Sequence, residues 1–225
     1  MRVNRLKALI TGFEPYGKYV ENPSEVVART LPEVASRELL GVELVTAVLP
    51  VSFRRAKERL LGLLRDEKPD IYLGIGLRPG ATHIAIERVA INLADARTPD
   101  NDGEQPIDEP IDPEGPAAYF STLPVKSIVK ELRSKGIPAA LSNSAGTFLC
   151  NYVMYLGLNH SFRYGYPMKS GFIHVPFSQQ QVNTVRSDWA GIPPSLTLDT
   201  MVKAVVIALK VTIERLSIGD ERIAL

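Results

Sequence analysis

Cysteine is almost absent from this chain, which carries one, Cys150, in 225 residues. A single thiol cannot close an internal disulfide, which fits a reducing cytoplasm without excluding an oxidising one. A dominant charge is lacking too. Lys and Arg number 26 against 25 Asp and Glu, a net charge of +1, so bulk charge does not direct the chain to nucleic acid or to an acidic membrane surface. No run approaches the roughly 20 apolar residues that span a bilayer, and Met1–Ile10 is too poor in apolar residues for a signal peptide. No segment repeats and none reads as a linker, so we expect one domain over residues 1–225, soluble and cytoplasmic. At 45% hydrophobic and 23% charged residues, such a chain buries a substantial core without staples.

What is present alternates between strand and helix signals. Lys7–Thr11, Val42–Val51, Asp70–Ile75, Ile84–Leu93, Pro138–Ser142 and Gly171–Phe177 are short runs rich in apolar and β-branched residues. Between them, Ser52–Asp66 spaces Phe53, Ala56, Leu60, Leu61 and Leu64 as a helix does, with Ser52 placed to cap it. Asn22-Pro23-Ser24 reads as another helix start. Leu123–Lys135, Thr147–His160 and Thr197–Leu216 read as further helices. Asp95–Gly115, crowded with Pro, Asp and Gly, fits no regular element, and a loop of that length inside a domain is usually functional or disordered. This alternation predicts an α/β domain with a mostly parallel sheet and helices on both faces. Polar signals follow or end strands at Gly12–Gly17, Gly76–Gly80, Ser142–Thr147 and His174–Phe177, the place where such folds gather their sites.

Cys150 lies where Ser142-Asn143-Ser144-Ala145-Gly146-Thr147 runs into an apolar helical stretch. Unpaired N–H groups and the partial positive charge of a helix start favour thiolate over thiol, and thiolate is the nucleophile; the plainer alternative is a buried small hydrophobe. A nucleophilic cysteine needs a base, and the base an orienting group. Of three histidines, His160 is about ten residues further along the same helix, ~15 Å away, and reads as a surface residue at a helix end. His83 precedes a strand and reads as solvated. His174, inside an apolar strand, is either a buried, hydrogen-bonded core residue or the partner of Cys150. Glu87 and Arg88 interrupt another apolar run. Adjacent strand residues point to opposite faces, so each needs its own partner, and His174 is available to Glu87.

These residues carry a resemblance. Thr11-Gly12-Phe13-Glu14-Pro15-Tyr16-Gly17, Glu87-Arg88-Val89-Ala90-Ile91-Asn92, Asp95-Ala96-Arg97-Thr98-Pro99-Asp100-Asn101, Gly115-Pro116-Ala117-Ala118-Tyr119-Phe120, Ser144–Asn151 and Gly171–Pro176 together resemble the pyroglutamyl peptidase I family of cysteine peptidases, in its archaeal branch. The resemblance implies a single three-layer α/β/α domain with a twisted, mostly parallel central sheet, of the phosphorylase type. It implies a Cys150–His174–Glu87 triad acting on peptides with an N-terminal pyroglutamate, no metal or other cofactor, and a homodimer or homotetramer. It places the substrate ring against Phe13 and Tyr16, with backbone groups near Phe148 and Leu149 bonding the lactam. Arg97 is either an aid to the oxyanion or a salt-bridge anchor for the Asp95–Gly115 loop. Two positions depart from the family pattern: Tyr16 replaces the usual Phe, and Leu77 stands where bacterial relatives often carry Gln.

Two rival functions stay open at this level. A nucleoside phosphorylase-like transferase on the same fold would need a phosphate-cradling loop, for which Gly74-Ile75-Gly76-Leu77-Arg78-Pro79-Gly80 is a weak match. A non-catalytic binder of pyroglutamyl termini would bind without turnover.

Overall fold

The structure is a computed structural model that describes residues 5–185 and 190–225; the first four residues of the N-terminal stretch read above lie outside it. In chain order the elements are β1 (Leu6–Phe13), α1 (Pro23–Glu38), β2 (Val42–Leu49), α2 (Phe53–Glu67), β3 (Ile71–Leu77), β4 (Ile84–Glu87), β5 (Val89–Ile91) and β6 (Ala118–Phe120). They continue with α3 (Val125–Ser134), β7 (Ala139–Ser142), α4 (Leu149–Tyr164), β8 (Lys169–Val175), β9 (Phe177–Ser178), α5 (Val182–Val185), β10 (Ser195–Leu196) and α6 (Leu198–Glu214). The starts of the helices follow local chemistry. Asn22 caps α1 by accepting the Ser24 N–H, with Pro23 in the first turn. Ser52 caps α2 through the Arg55 N–H, and Thr197 caps α6 through Thr200.

Six strands form one sheet in the order β2-β1-β3-β8-β4-β7. It is mostly parallel, as expected, but β4 pairs antiparallel with β8 and parallel with β7. The cause is the short connection between β3 and β4. No helix intervenes there, so the chain turns back instead of crossing over.

Strand alternation divides the core in two. Ile71, Leu73 and Ile75 of β3, Ile84 and Ile86 of β4, and Ile173 and Val175 of β8 pack with α1, α3 and α6 on one face. Tyr72 and Phe172 pack with α2 and α4 on the other. Burial of these side chains, each worth about 1.5–3 kcal/mol, holds the sheet between two helical layers.

The run Ile84–Leu93 is two strands, not one. At Arg88 the backbone N–H still bonds Ser142 O, but its carbonyl accepts from Ser121 N–H. Beyond it β5 leaves the main sheet and pairs with β6. A continuous apolar run does not reveal such a hand-over between two sheets. The 95–115 loop has no regular element beyond an isolated Ala94–Glu109 bridge, yet it is firmly tied. The buried Asp100 carboxylate accepts N–H groups from Phe53, Asp102 and Glu104, and Asn101 donates to Glu14 and to Pro15 O. Among the described residues no helix is long and apolar enough to cross a membrane.

Candidate active site

Cys150 is the second residue of α4 and is half-buried. The turn before it needs Gly146 at φ +80°, the left-handed region that glycine enters without penalty. No side chain caps α4. Phe148 occupies the N-cap and the first helical bond runs from Tyr152 N–H to Phe148 O. The N–H groups of Leu149, Cys150 and Asn151 make no hydrogen bond among the described residues, so the positive end of the helix is left open beside the sulfur.

Under the sulfur lies Gly76 of β3, paired in register with His174 of β8. A Cβ at Gly76 would stand 2.7 Å from Cys150 Sγ and 2.8 Å from Phe172 Cζ. Glycine here makes room for the thiol, and Gly74 makes room for the Phe172 ring in the same way. Gly74 to Leu77 of the glycine-rich stretch is therefore strand, and the space above both its glycines is filled by protein atoms.

His174 is buried, and its Nδ1 donates to Glu87 Oε1 at 2.7 Å. That bond sets the tautomer and leaves Nε2 free, and Cys150 is near enough for its charge to act on the ring. Burial pushes the imidazole pKa down. The charge and hydrogen bond of the Cys150 thiolate, followed by those of Glu87, outweigh it and raise the ring to about 9. Glu87 is fully buried at the end of β4. Its Oε2 has no hydrogen-bond partner among the described residues, and Arg78 Nη1 lies 3.9 Å from its Oε1. Arg88, half-buried, has no ion pair of its own among the described residues.

A pocket of about 40 Å³ opens beside the thiol, lined by Phe13, Tyr16, Asn22, Val51, Leu77, Phe148, Leu149 and Cys150. All four residues expected to hold the substrate ring thus border the nucleophile. A larger cleft of about 420 Å³ between α2 and the 95–115 loop does not touch Cys150. The small pocket is the better site, because it joins apolar walls to a reactive group. Tyr16 packs edge-on against Tyr19 at 5.4 Å. Its hydroxyl makes no hydrogen bond among the described residues, and its pKa is raised by burial, then by the neighbouring Cys150 and Tyr19. Leu77 presents only hydrocarbon to the pocket. The Asn22 amide is committed to Glu14 O and to the start of α1.

Other expectations fare differently. Arg97 is exposed, and no ion pair among the described residues anchors the loop through it. His160 is not a surface residue. It is 7% exposed, its ring lies against Tyr164 and Tyr166, and its pKa is lowered by burial and then by Arg65. The reason is that α4 is buried on almost every side from Leu149 to His160. His83 is half-exposed beside Thr82. Sequence reasoning overlooked Val51 and Asn22 as pocket walls and Arg78 as a neighbour of Glu87. Only the position of Arg78, just past the end of a central strand, could have marked it.

Known proteins share this arrangement of chain. A family model described as pyroglutamyl peptidase matches residues 6–215. The pyrrolidone-carboxylate peptidase of Pyrococcus furiosus is 48% identical over 211 residues, covering 94% of this chain and 100% of that protein. The enzyme of the same name from Thermococcus litoralis is 47% identical, covering 93% of this chain and 94% of its own. A crystal structure of pyrrolidone carboxyl peptidase from Pyrococcus furiosus matches with a TM-score of 0.89 at 47% identity, covering 94% of this chain and 100% of that one. The agreement runs from β1 to the end of α6, in sequence and in fold alike, and it makes this chain a cysteine peptidase of the pyroglutamyl peptidase family.

Proposed function

We propose that the protein removes N-terminal pyroglutamate from peptides, using Cys150 as nucleophile, His174 as base and acid, and Glu87 as the group that orients the ring. The observation that carries this is the apolar pocket bordered by Cys150 itself, with the His174–Glu87 pair behind the sulfur. Cys150 Sγ attacks the carbonyl that joins the lactam ring to the next residue. The proton held by His174 passes to the departing amine, leaving a thioester. Water, deprotonated by His174, then releases pyroglutamate and restores the thiol. The open N–H groups at the start of α4 stabilise the oxyanion in both halves, and the exposed guanidinium of Arg97 assists them. Glu87 supports the imidazolium each time it forms.

Specificity follows from the walls. Phe13, Tyr16, Phe148 and Leu149 offer apolar surface to a flat ring, and Leu77 offers no hydrogen bond, so the lactam N–H and carbonyl turn to backbone groups near Phe148 and Leu149. Proline lacks the ring carbonyl and leaves a pocket group unpaired, a defect that discriminates by ~10⁴ or more.

The same reading takes residues 1–225 as one peptidase domain acting in the cytoplasm, without metal or cofactor, as a homodimer or homotetramer. Phe162, Tyr164 and Met168 stand exposed around the end of α4, an apolar surface of the kind a second copy covers. The test of function is release of a reporter amine. Pyroglutamyl amides should be cleaved, prolyl amides should not, and alkylating the one thiol should abolish turnover. Comparable rates on both substrates would overturn the pocket. Phosphate-dependent turnover insensitive to alkylation would favour the phosphorylase, and binding without turnover would favour the binder.

A further inference from the structure

Glu87 is the most precarious of the three groups at the site, because it is wholly buried and, among the described residues, only one of its oxygens is bonded. A carboxylate taken out of water needs a compensating charge, and an uncompensated one costs several kcal/mol. His174 supplies that charge only while its ring is protonated. Each time the imidazole gives its proton to a leaving group, Glu87 must find its compensation elsewhere. Around Glu87 stand His174 from β8, with Cys150 of α4 beyond it, and Arg78 from the end of β3. Ser142, its register partner on β7, does not titrate. Arg88, the next residue, leaves the sheet with β5. On the opposite face of β4, Ile84 and Ile86 meet the apolar side of α3. Arg78 is therefore the one permanent cation beside this carboxylate among the described residues.

The backbone holds Arg78 in place, since its N–H bonds Val175 O and its carbonyl accepts from Ala81 N–H. Its Nη1 reaches two things at once: Glu87 Oε1 at 3.9 Å and Ser142 Oγ at 3.4 Å. Ser142 Oγ in turn bonds Ser144 within the turn that leads to Cys150. We propose that Arg78 is a positioning residue of the triad, compensating the Glu87 carboxylate and tying it, through Ser142, to the turn that delivers the nucleophile. It touches neither thiol nor substrate and acts through Glu87. The guanidinium is half-exposed and the contact is long, so solvent screening limits the effect to a modest factor.

The inference rests on the triad proposed above, but its test needs no substrate. Cys150 is the only thiol, so its alkylation by iodoacetamide can be followed by mass spectrometry across pH in the wild type, Arg78→Gln and Arg78→Lys. Arg78→Gln should alkylate about three- to tenfold more slowly on the acid side, its acid limb displaced to higher pH. Arg78→Lys keeps the charge and should restore the wild-type limb, with unfolding midpoints unchanged in both. On a pyroglutamyl amide, kcat should fall in Arg78→Gln with KM unaltered. Superimposable profiles for wild type and Arg78→Gln would overturn the proposal, as would a Lys variant displaced as far as the Gln one. If the wild type never cleaves the amide, the proposed function fails while the alkylation profiles still decide the role of Arg78.

Discussion

At the scale of single residues, the site is a contest between burial and charge on one imidazole. His174 sits where burial favours the neutral ring, and the Cys150 thiolate reverses that preference before Glu87 adds to it. Replacing Cys150 by Ala removes the larger of the two supports, so the imidazole pKa of His174 should fall well below the wild-type value of about 9 in an NMR titration. An unchanged titration would mean that thiol and ring do not interact. The linkage has a definite sign. Because the folded pKa is raised above 6.5, the stability this ring contributes is complete below pH 6.5 and is lost as pH rises through about 9. Thermal unfolding of wild type against His174→Gln should therefore show a gap that narrows over that window. Gly76 gives a second prediction. Gly76→Ala would bring a Cβ to 2.7 Å from the sulfur, and a displacement of this kind costs about a hundredfold in rate, with overpacking costing about 1–3 kcal/mol of stability. Steady-state kinetics beside a denaturant curve would separate the two effects.

At the scale of elements, α4 must be pinned at its start if its open N–H groups are to face a reacting carbonyl. Asn151 does this. It is 1% exposed, accepts the Ile91 N–H, and donates to the carbonyls of Ile91 and Leu93. The helix is thereby fastened to β5 and to the chain entering the 95–115 loop. Asn151→Ala removes the partner of three partly buried backbone groups, a loss of about 1–3 kcal/mol, and urea unfolding should show the midpoint falling accordingly. Much of this layer was legible in the sequence. Ser52, Asn22 and Thr197 mark helix starts because a capping side chain is a local device, written within a few residues of the N–H it serves. The division of Ile84–Leu93 at Arg88 was not legible, because strands in two different sheets carry the same apolar pattern. The reversal of β4 was foreshadowed by the short, helix-free connection before it, but which neighbour the strand would meet across the sheet was not. The burial of His160 was missed for the same reason: a helix covered on most sides shows little of the one-sided pattern that marks a surface helix.

At the scale of the whole molecule, the sheet brings together groups that lie far apart in the chain. Glu87 and His174 are 87 residues apart and share a hydrogen bond, and Phe13 and Tyr16 border a pocket closed by Phe148 and Leu149. Nothing local in the sequence dictates such meetings; motif resemblance pointed to them, and the register of β3, β8 and β4 supplies the physical reason. What the motifs did not carry is the approach of Arg78 to Glu87 and the Tyr16 hydroxyl, which makes no hydrogen bond among the described residues. The central claim is that one sulfur performs the bond-breaking step. Its most direct test is turnover of a pyroglutamyl amide by Cys150→Ala, in protein shown to be folded. A loss of about 10⁴-fold or more in kcat relative to the wild type is predicted; a variant that cleaves the amide at an undiminished rate would contradict it.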